Sequence, residues 1–313
     1  MTQSLNLVFC GTPQFAVPTL EKLVASGFRV HLVVTQPDRP KGRGLELVPS
    51  PVKESALKLN LPITQPDRIK TNDEFRAQLA ALKPDAIIVV GYGRLIPQWM
   101  LDLPPLGNIN LHASLLPKYR GAAPIQWAIA QGETVTGVTT MRLDAGLDTG
   151  DILLQREIPI DSADTAETLA PRLASIGADL MVETLRGLQA GSIQPRPQDN
   201  SRATLAPILK KEDGLVDFSR SATEIFNRIR GFQPWPGAHT KFRGKSLQIL
   251  LAQPAGDPLP PAELRVQADR LFVGCGHNSS LELLELQLEG KKRSSARDFL
   301  HGYRPKPCEK LGS

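Results

Sequence analysis

The sequence predicts a two-domain protein: a doubly wound α/β domain built on a mostly parallel sheet, followed by a smaller antiparallel barrel. Three observations carry this. Short apolar runs alternate with amphipathic stretches through the first 190 or so residues. Residues 191–206 then hold Pro195, Pro197, Asp199, Asn200 and Ser201 with no apolar period, which is a linker composition. Beyond it the pattern changes to short β-like runs punctuated by Gly and Pro. The chain divides accordingly into residues 1–190, a linker over 191–206, and residues 207–313.

In order, Leu5–Cys10 reads as a strand turning at Gly11-Thr12-Pro13, and a helix with Phe15, Leu20, Leu23 and Val24 on its apolar face closes at Gly27. Arg29–Val34 is a β-branched second strand. A long loop precedes helices near Val52–Leu59 and Asp73–Leu82, and Ala86–Val90 has the unbroken apolar run of a strand buried on both faces. Gly107–Leu111 is the next strand, followed by a helix near Ala123–Gln131, strands at Val135–Leu143 and Ile152–Ile158, and a long amphipathic helix over Thr165–Leu188. Strands separated by helices of this length imply a parallel sheet covered on both faces. In the second domain a short helix near Ala222–Arg230 precedes strands at Ser246–Leu251, Arg270–Val273 and Leu281–Leu286.

Composition narrows the classes. Of 313 residues, 41% are hydrophobic and 22% charged, which excludes disorder and fibrous repeats. The three cysteines are far apart and form neither a disulfide framework nor a zinc cluster, consistent with a reducing cytoplasm. Met1–Leu20 lacks the basic start of a signal peptide, and no apolar run approaches the roughly 20 residues of a membrane span. Lys and Arg number 19 against 20 Asp and Glu over residues 1–200, but 18 against 12 over residues 201–313. The net charge of +5 therefore sits in the last third, as a solvated surface or as a footprint for an anionic partner such as nucleic acid.

Chemistry concentrates in two segments. In Asn108–Pro117, Asn110 and His112 are two apart on a strand and project to one side at its carboxyl end, where open α/β sheets place ligands. An amide beside an imidazole offers an oxyanion donor next to a general acid/base, which suits acyl transfer through a tetrahedral intermediate. Asp144–Asp151 holds three carboxylates in a Gly-rich loop; the spacing does not fit a calcium loop, and one carboxylate instead could orient His112, without the spacing saying which. The loop Gln36–Gly44 is basic at its tip and reads either as a connector or as an arm toward an anionic partner. Gly91-Tyr92-Gly93 lacks the third glycine of a dinucleotide fingerprint, and no phosphate loop or HExxH motif occurs.

Asn110-Leu111-His112-Ala113-Ser114-Leu115-Leu116-Pro117, followed by Arg120-Gly121-Ala122-Ala123-Pro124-Ile125, resembles the signature of the 10-formyltetrahydrofolate-dependent formyltransferases, and Asp144–Gly150 resembles its second part. Phe9–Ala16, Thr35–Gly44 with Pro49–Lys53, and Pro234–Ala238 resemble the branch of that family acting on methionyl-tRNA. The resemblance implies a Rossmann-like formyltransferase domain and an OB-like tRNA-binding barrel. It places the catalytic trio on Asn110, His112 and Asp148. It implies a site for 10-formyltetrahydrofolate, the formyl donor, at Val89, Val90, Gly91, Tyr92, Ser114, Leu115, Leu116, Pro117, Arg120 and Asp144. Arg43 lies at the centre of an insertion, Asp38–Val48, that the resemblance assigns to initiator methionyl-tRNA; Arg39 and Lys41 in it, with Lys210 and Lys211 in the second domain, are the further tRNA-binding candidates. Together with the composition and the chemistry of formyl transfer, the expectation is no metal, no membrane and a cytoplasmic monomer. Gln14 departs from the acidic residue common in the family, without touching the trio.

Overall fold

The structure is a computed structural model that describes residues 4–41 and 46–312, and of Lys41 and Glu46 the backbone alone. The first elements are β1 (Asn6–Gly11), α1 (Val17–Ala25), β2 (Arg29–Val34), β3 (Arg39–Lys41), β4 (Glu46–Val48), α2 (Pro51–Lys58) and β5 (Ile63–Thr64). There follow α3 (Asp73–Leu82), β6 (Ala86–Val90), α4 (Gln98–Leu101), β7 (Asn108–His112), α5 (Pro124–Ala130), β8 (Val135–Arg142), β9 (Ile152–Pro159) and α6 (Ala166–Gln189). The rest are α7 (Ala222–Gly231), β10 (Ala238–Phe242), β11 (Lys245–Ala255), β12 (Leu264–Gln267), β13 (Arg270–Cys275), β14 (Ser279–Leu288), β15 (Ser294–Ser295) and α8 (Ala296–Tyr303).

The first compact unit comprises residues 1–121, 135–159 and 170–206. Its seven-stranded sheet runs β5-β2-β1-β6-β7-β8-β9. The first five strands are parallel, β8 runs antiparallel to β7, and the edge strand β9 runs antiparallel to β8. Strand order reverses between β1 and β6, so the carboxyl ends of those strands form the crevice in which such sheets bind ligands. The period-2 alternation of each strand divides the core. Val8, Cys10, Leu32, Val34, Ile87 and Val89 pack with Phe75, Leu79, Tyr92 and Met100 on one face. On the other face Leu111 meets α6 at Gly177, where a Cβ would come within 2.6 Å of the leucine.

Two expectations are corrected here. The loop after β2 is, at its described ends, a hairpin: β3 and β4 pair antiparallel, with Arg39 opposite Val48. Its strands are three residues long and contain Pro40, so they carry no alternation to read. Residues 191–206, expected as a linker, are hydrogen-bonded into the first unit through bridges between Arg196 and Ile152 and between Arg120 and Leu205. Most of the segment is exposed, but the side chains of Gln198, Asn200 and Thr204 hydrogen-bond to Arg120, to the loop at Asp148 and Gly150, and to Tyr119.

The second unit comprises residues 122–134, 160–169 and 207–313. It takes α5 away from the expected 1–190 domain because that helix packs on α7, with the Trp127 and Phe232 rings edge to face at 5.3 Å and Gly231 close under Gln126. An antiparallel sheet β10-β11-β14-β13-β12, with β15 added to β14, closes over Leu247, Ile249, Leu271, Val273, Leu283 and Leu286, consistent with an OB-like barrel. The chain after α8 is tied to this barrel. Arg243 forks onto Glu309 at 2.6 and 2.9 Å, which holds that carboxyl below the usual range, and Leu311 is buried. Among the described residues, no helix is long and apolar enough to cross a membrane.

Helix α7 opens on a capping box: the Ser221 hydroxyl accepts from the Glu224 N–H while the Glu224 carboxylate accepts from the Ser221 N–H. Ser221→Ala is expected to cost about 1 kcal/mol and to lower Tm by roughly 2–4 °C, with Ser221→Thr close to wild type. Equal losses in the two variants would show that the cap hydroxyl contributes nothing.

Candidate active site

The carboxyl ends of β1, β6 and β7 lie side by side and carry the loops Gly11-Thr12-Pro13, Gly91-Tyr92-Gly93 and Ala113–Arg120. Alternation along β7 puts Asn108, Asn110 and His112 on one face and Ile109 and Leu111 on the other. Asn108 is structural: its amide donates to the carbonyls of Met100 and Leu101 at the end of α4. Asn110, 8% exposed, has no hydrogen-bond partner for its side chain among the described residues, so its amide is free to meet a ligand at the strand end.

His112 is 6% exposed. Its Nε2 lies 2.8 Å from the Tyr119 carbonyl, which only accepts, so Nε2 carries the proton and donates. Its Nδ1 faces Asp148 Oδ2 at 3.6 Å, too long for a hydrogen bond but close enough for a charge pair. The same Oδ2 accepts from the Gly121 N–H at 2.8 Å. Nε2 thus has its acceptor, while Nδ1 faces the Asp148 carboxylate from beyond hydrogen-bond distance. Sequence spacing left three carboxylates open; the structure brings Asp148 to His112. Asp144 instead shapes its own loop, accepting from the Gly146 N–H and the Thr149 hydroxyl.

The loop after β7 is held from below. Thr139 Oγ1 donates to the Ser114 carbonyl at 2.7 Å and accepts from the Leu116 N–H at 3.2 Å, while Gln155 Nε2 donates to the Leu116 carbonyl at 2.9 Å. Ser114 Oγ donates to the Lys118 carbonyl, Leu116 packs with Met141 and Ile152, and Leu115 and Pro117 are half-buried.

Several expected folate contacts change character. The side chains of Val89 and Val90 are core because β6 turns them into the sheet's packing faces, and Tyr92, in the loop beyond, packs into the core on one face, only 1% exposed and with its hydroxyl unpartnered. What they can offer a ligand is backbone, and the Tyr92 carbonyl already accepts from Thr12 Oγ1 and Gln36 Nε2. Gly91 is exposed, at φ 55°. Arg120 is 7% exposed and its guanidinium is taken by Gln198 and Asn200, so it holds the fold of the site rather than projecting from it. Arg39, Lys210 and Lys211 are exposed; Arg43 and the side chain of Lys41 lie outside the described residues. The base of the hairpin is anchored: Asp38 accepts from Lys53 at 2.5 Å and Gln65 at 2.7 Å, contacts that lower its carboxyl below the ordinary value.

Residues 5–185 match the model of the formyl transferase family, and residues 208–304 match the formyl transferase C-terminal domain. The chain belongs to the formyl transferase family. Curated relatives named methionyl-tRNA formyltransferase are 69% identical in Koribacter versatilis, over 98% of each chain, and 62% identical in Acidobacterium capsulatum, over 99% of this chain and 100% of that one. An N-formyltransferase from Helicobacter canadensis, solved with folinic acid and dTDP-3-aminofucose, shares the fold with a TM-score of 0.68 at 18% identity, over 89% of this chain and 98% of that one. As a formyl transferase the protein is a group-transfer enzyme, and its first unit is the family's Rossmann-like domain.

Reasoning from this formyl transferase's sequence assigned no individual role to Tyr119, Gly121, Thr139, Gln155 or Gln198, although Gly121 lies in the signature run and Tyr119 and Thr139 within the ranges that the resemblance gives to folate. Most of their contacts use backbone groups or neutral amides, which leave no mark in composition. For Gln155 and Thr139 the available signal was their polarity inside predicted strands.

Proposed function

We propose that this formyl transferase moves the formyl group of 10-formyltetrahydrofolate onto the α-amino group of methionine carried by initiator tRNA, and so works in the cytoplasm beside translation. The observation that carries the reading is 69% identity, over 98% of both chains, to a relative named for that activity. The juxtaposition of Asn110, His112 and Asp148 supports it independently.

The folate supplies an electrophilic formyl carbon. Its site fits a flat, partly apolar ligand: Gly91 and Gly93 turn the chain at positive φ, and Leu95 and Leu147 stand 84% and 57% exposed on the loops after β6 and β8. The α-amino group of a free amino acid has a pKa of about 7.7–8.0, and an adjacent ester lowers it, so much of the nucleophile is already neutral at pH 7. What the enzyme must add is stabilisation of the oxygen on which charge grows and transfer of a proton to the leaving nitrogen. In this reading the amide of Asn110, 8% exposed at the strand end and with no side-chain partner among the described residues, donates to that oxygen. Nδ1 of His112 is the nitrogen left for proton transfer, since Nε2 is committed to Tyr119. Asp148 stabilises the ring while it carries both protons.

The deciding assay compares formyl transfer from 10-formyltetrahydrofolate to charged initiator tRNA with transfer to free amino sugars and aminoribonucleotides. Faster turnover on a small amine would move the chain to another branch of the family. The basic surplus of residues 201–313 predicts that tRNA affinity falls as salt rises, through counterion release. Arg43→Ala is expected to lower kcat/KM more for initiator than for elongator methionyl-tRNA, because an insertion at the acceptor end can sense whether that end is paired. A proportional loss on both would reduce the insertion to general electrostatics.

A further inference from the structure

Asp148 has φ 52°, the left-handed conformation that is uncommon for non-glycine residues although Asp tolerates it better than most, and its neighbours hold it there. Gln198 Nε2 donates to the carbonyl of Asp148 at 2.8 Å and to that of Gly150 at 2.7 Å. Its Oε1 accepts from Arg120 Nε at 3.1 Å and Nη2 at 2.8 Å. Carbonyls only accept and a guanidinium only donates, so the amide has one possible orientation and both its donors and its acceptor are used. Arg120 Nη2 also reaches Asn200 Oδ1 at 2.8 Å, and the backbone of Arg120 is bracketed by Thr204 and Ala206. The next residue, Gly121, is the one whose N–H holds the Asp148 carboxylate, and a Cβ there would come within 2.7 Å of the Ala206 carbonyl.

From this we infer that Gln198 is a positioning residue for the transfer reaction. By clamping the carbonyls of Asp148 and Gly150 against Arg120, it holds Asp148 in the conformation that aims one carboxylate oxygen at both His112 and Gly121. The inference rests on reading His112 and Asp148 as the catalytic pair. Nothing in the side chain of Gln198 touches the reacting groups; it acts through the backbone of the loop. Gly150 shows how little slack the loop has, since a Cβ there would collide with the Arg142 carbonyl.

The test is a mutant cycle on the full chain, measuring kcat and KM for 10-formyltetrahydrofolate and charged initiator tRNA, at a temperature where melting curves show every variant folded. Gln198→Ala should lower kcat by about 10- to 10²-fold, the usual scale for displacing a reacting group by an ångström, with each KM changed by less than about 3-fold. Gln198→Glu keeps a partner for Arg120 but turns an acceptor toward two carbonyls, so it should lose at least as much. In an Asp148→Ala background, Gln198→Ala should add less than about 3-fold, because residues acting as one unit are not additive. Wild-type kcat in Gln198→Ala, or its full loss repeated in the Asp148→Ala background, would overturn the inference. If the wild-type chain formylates another amine instead of methionyl-tRNA, the functional reading fails, and the cycle run on that amine still decides the role of Gln198.

Discussion

His112→Ala is expected to cut kcat for formyl transfer by at least ~10²-fold and up to ~10⁴-fold, the range for losing a general acid/base. KM for charged tRNA should stay within about 3-fold, because the ring handles a proton that moves only as the transition state forms. The geometry sharpens this. Nε2 is bound to a backbone carbonyl, which leaves Nδ1 for the proton in this reading, and Asp148 lies beside it at 3.6 Å. Asp148→Ala should therefore lose turnover of the same order, and the double variant should be little worse than His112→Ala. Near-normal turnover in either single variant would remove the pair from the mechanism. Additive losses would show two independent roles instead of one relay.

The second large effect concerns Asn110. As the donor to the growing oxyanion, its loss in Asn110→Ala should cost about 10²–10³-fold in kcat. Asn110→Asp should be worse, since a carboxylate at the same place repels the charge that a deletion merely leaves unsolvated. Equal activity of the two variants would mark Asn110 as structural, which its free amide argues against, since a structural asparagine in this strand, Asn108, is hydrogen-bonded to the end of a helix.

Much of the fold was legible where one rule dominated the local sequence. β2, β6 and α3 fall on the residues that the apolar patterns of Arg29–Val34, Ala86–Val90 and Asp73–Leu82 predict, because each buries its apolar residues at its own period. β3, β5, β12 and β15 escaped: they are two to four residues long, shorter than the window in which a period shows. α8 escaped because the tail reads as polar, while its burial of Phe299 against Phe242 and Tyr303 is a tertiary fact.

The site divides the same way. By itself the sequence placed Asn110 and His112 on one side of a strand end, since a period of two and a strand's direction are local properties. It also put three carboxylates in one loop. Spacing alone did not choose among them, although the family resemblance named Asp148; the tertiary structure set Asp148 beside His112, turned Arg120 and Tyr92 inward, and showed residues 196–206 to be a brace for the loop that carries Asp148. Those choices are made by hydrogen bonds such as that from Gln198 to the Asp148 carbonyl, between residues 50 positions apart. Neither partner's local pattern encodes such a bond, because any amide can meet any carbonyl and only the packed chain decides which ones do.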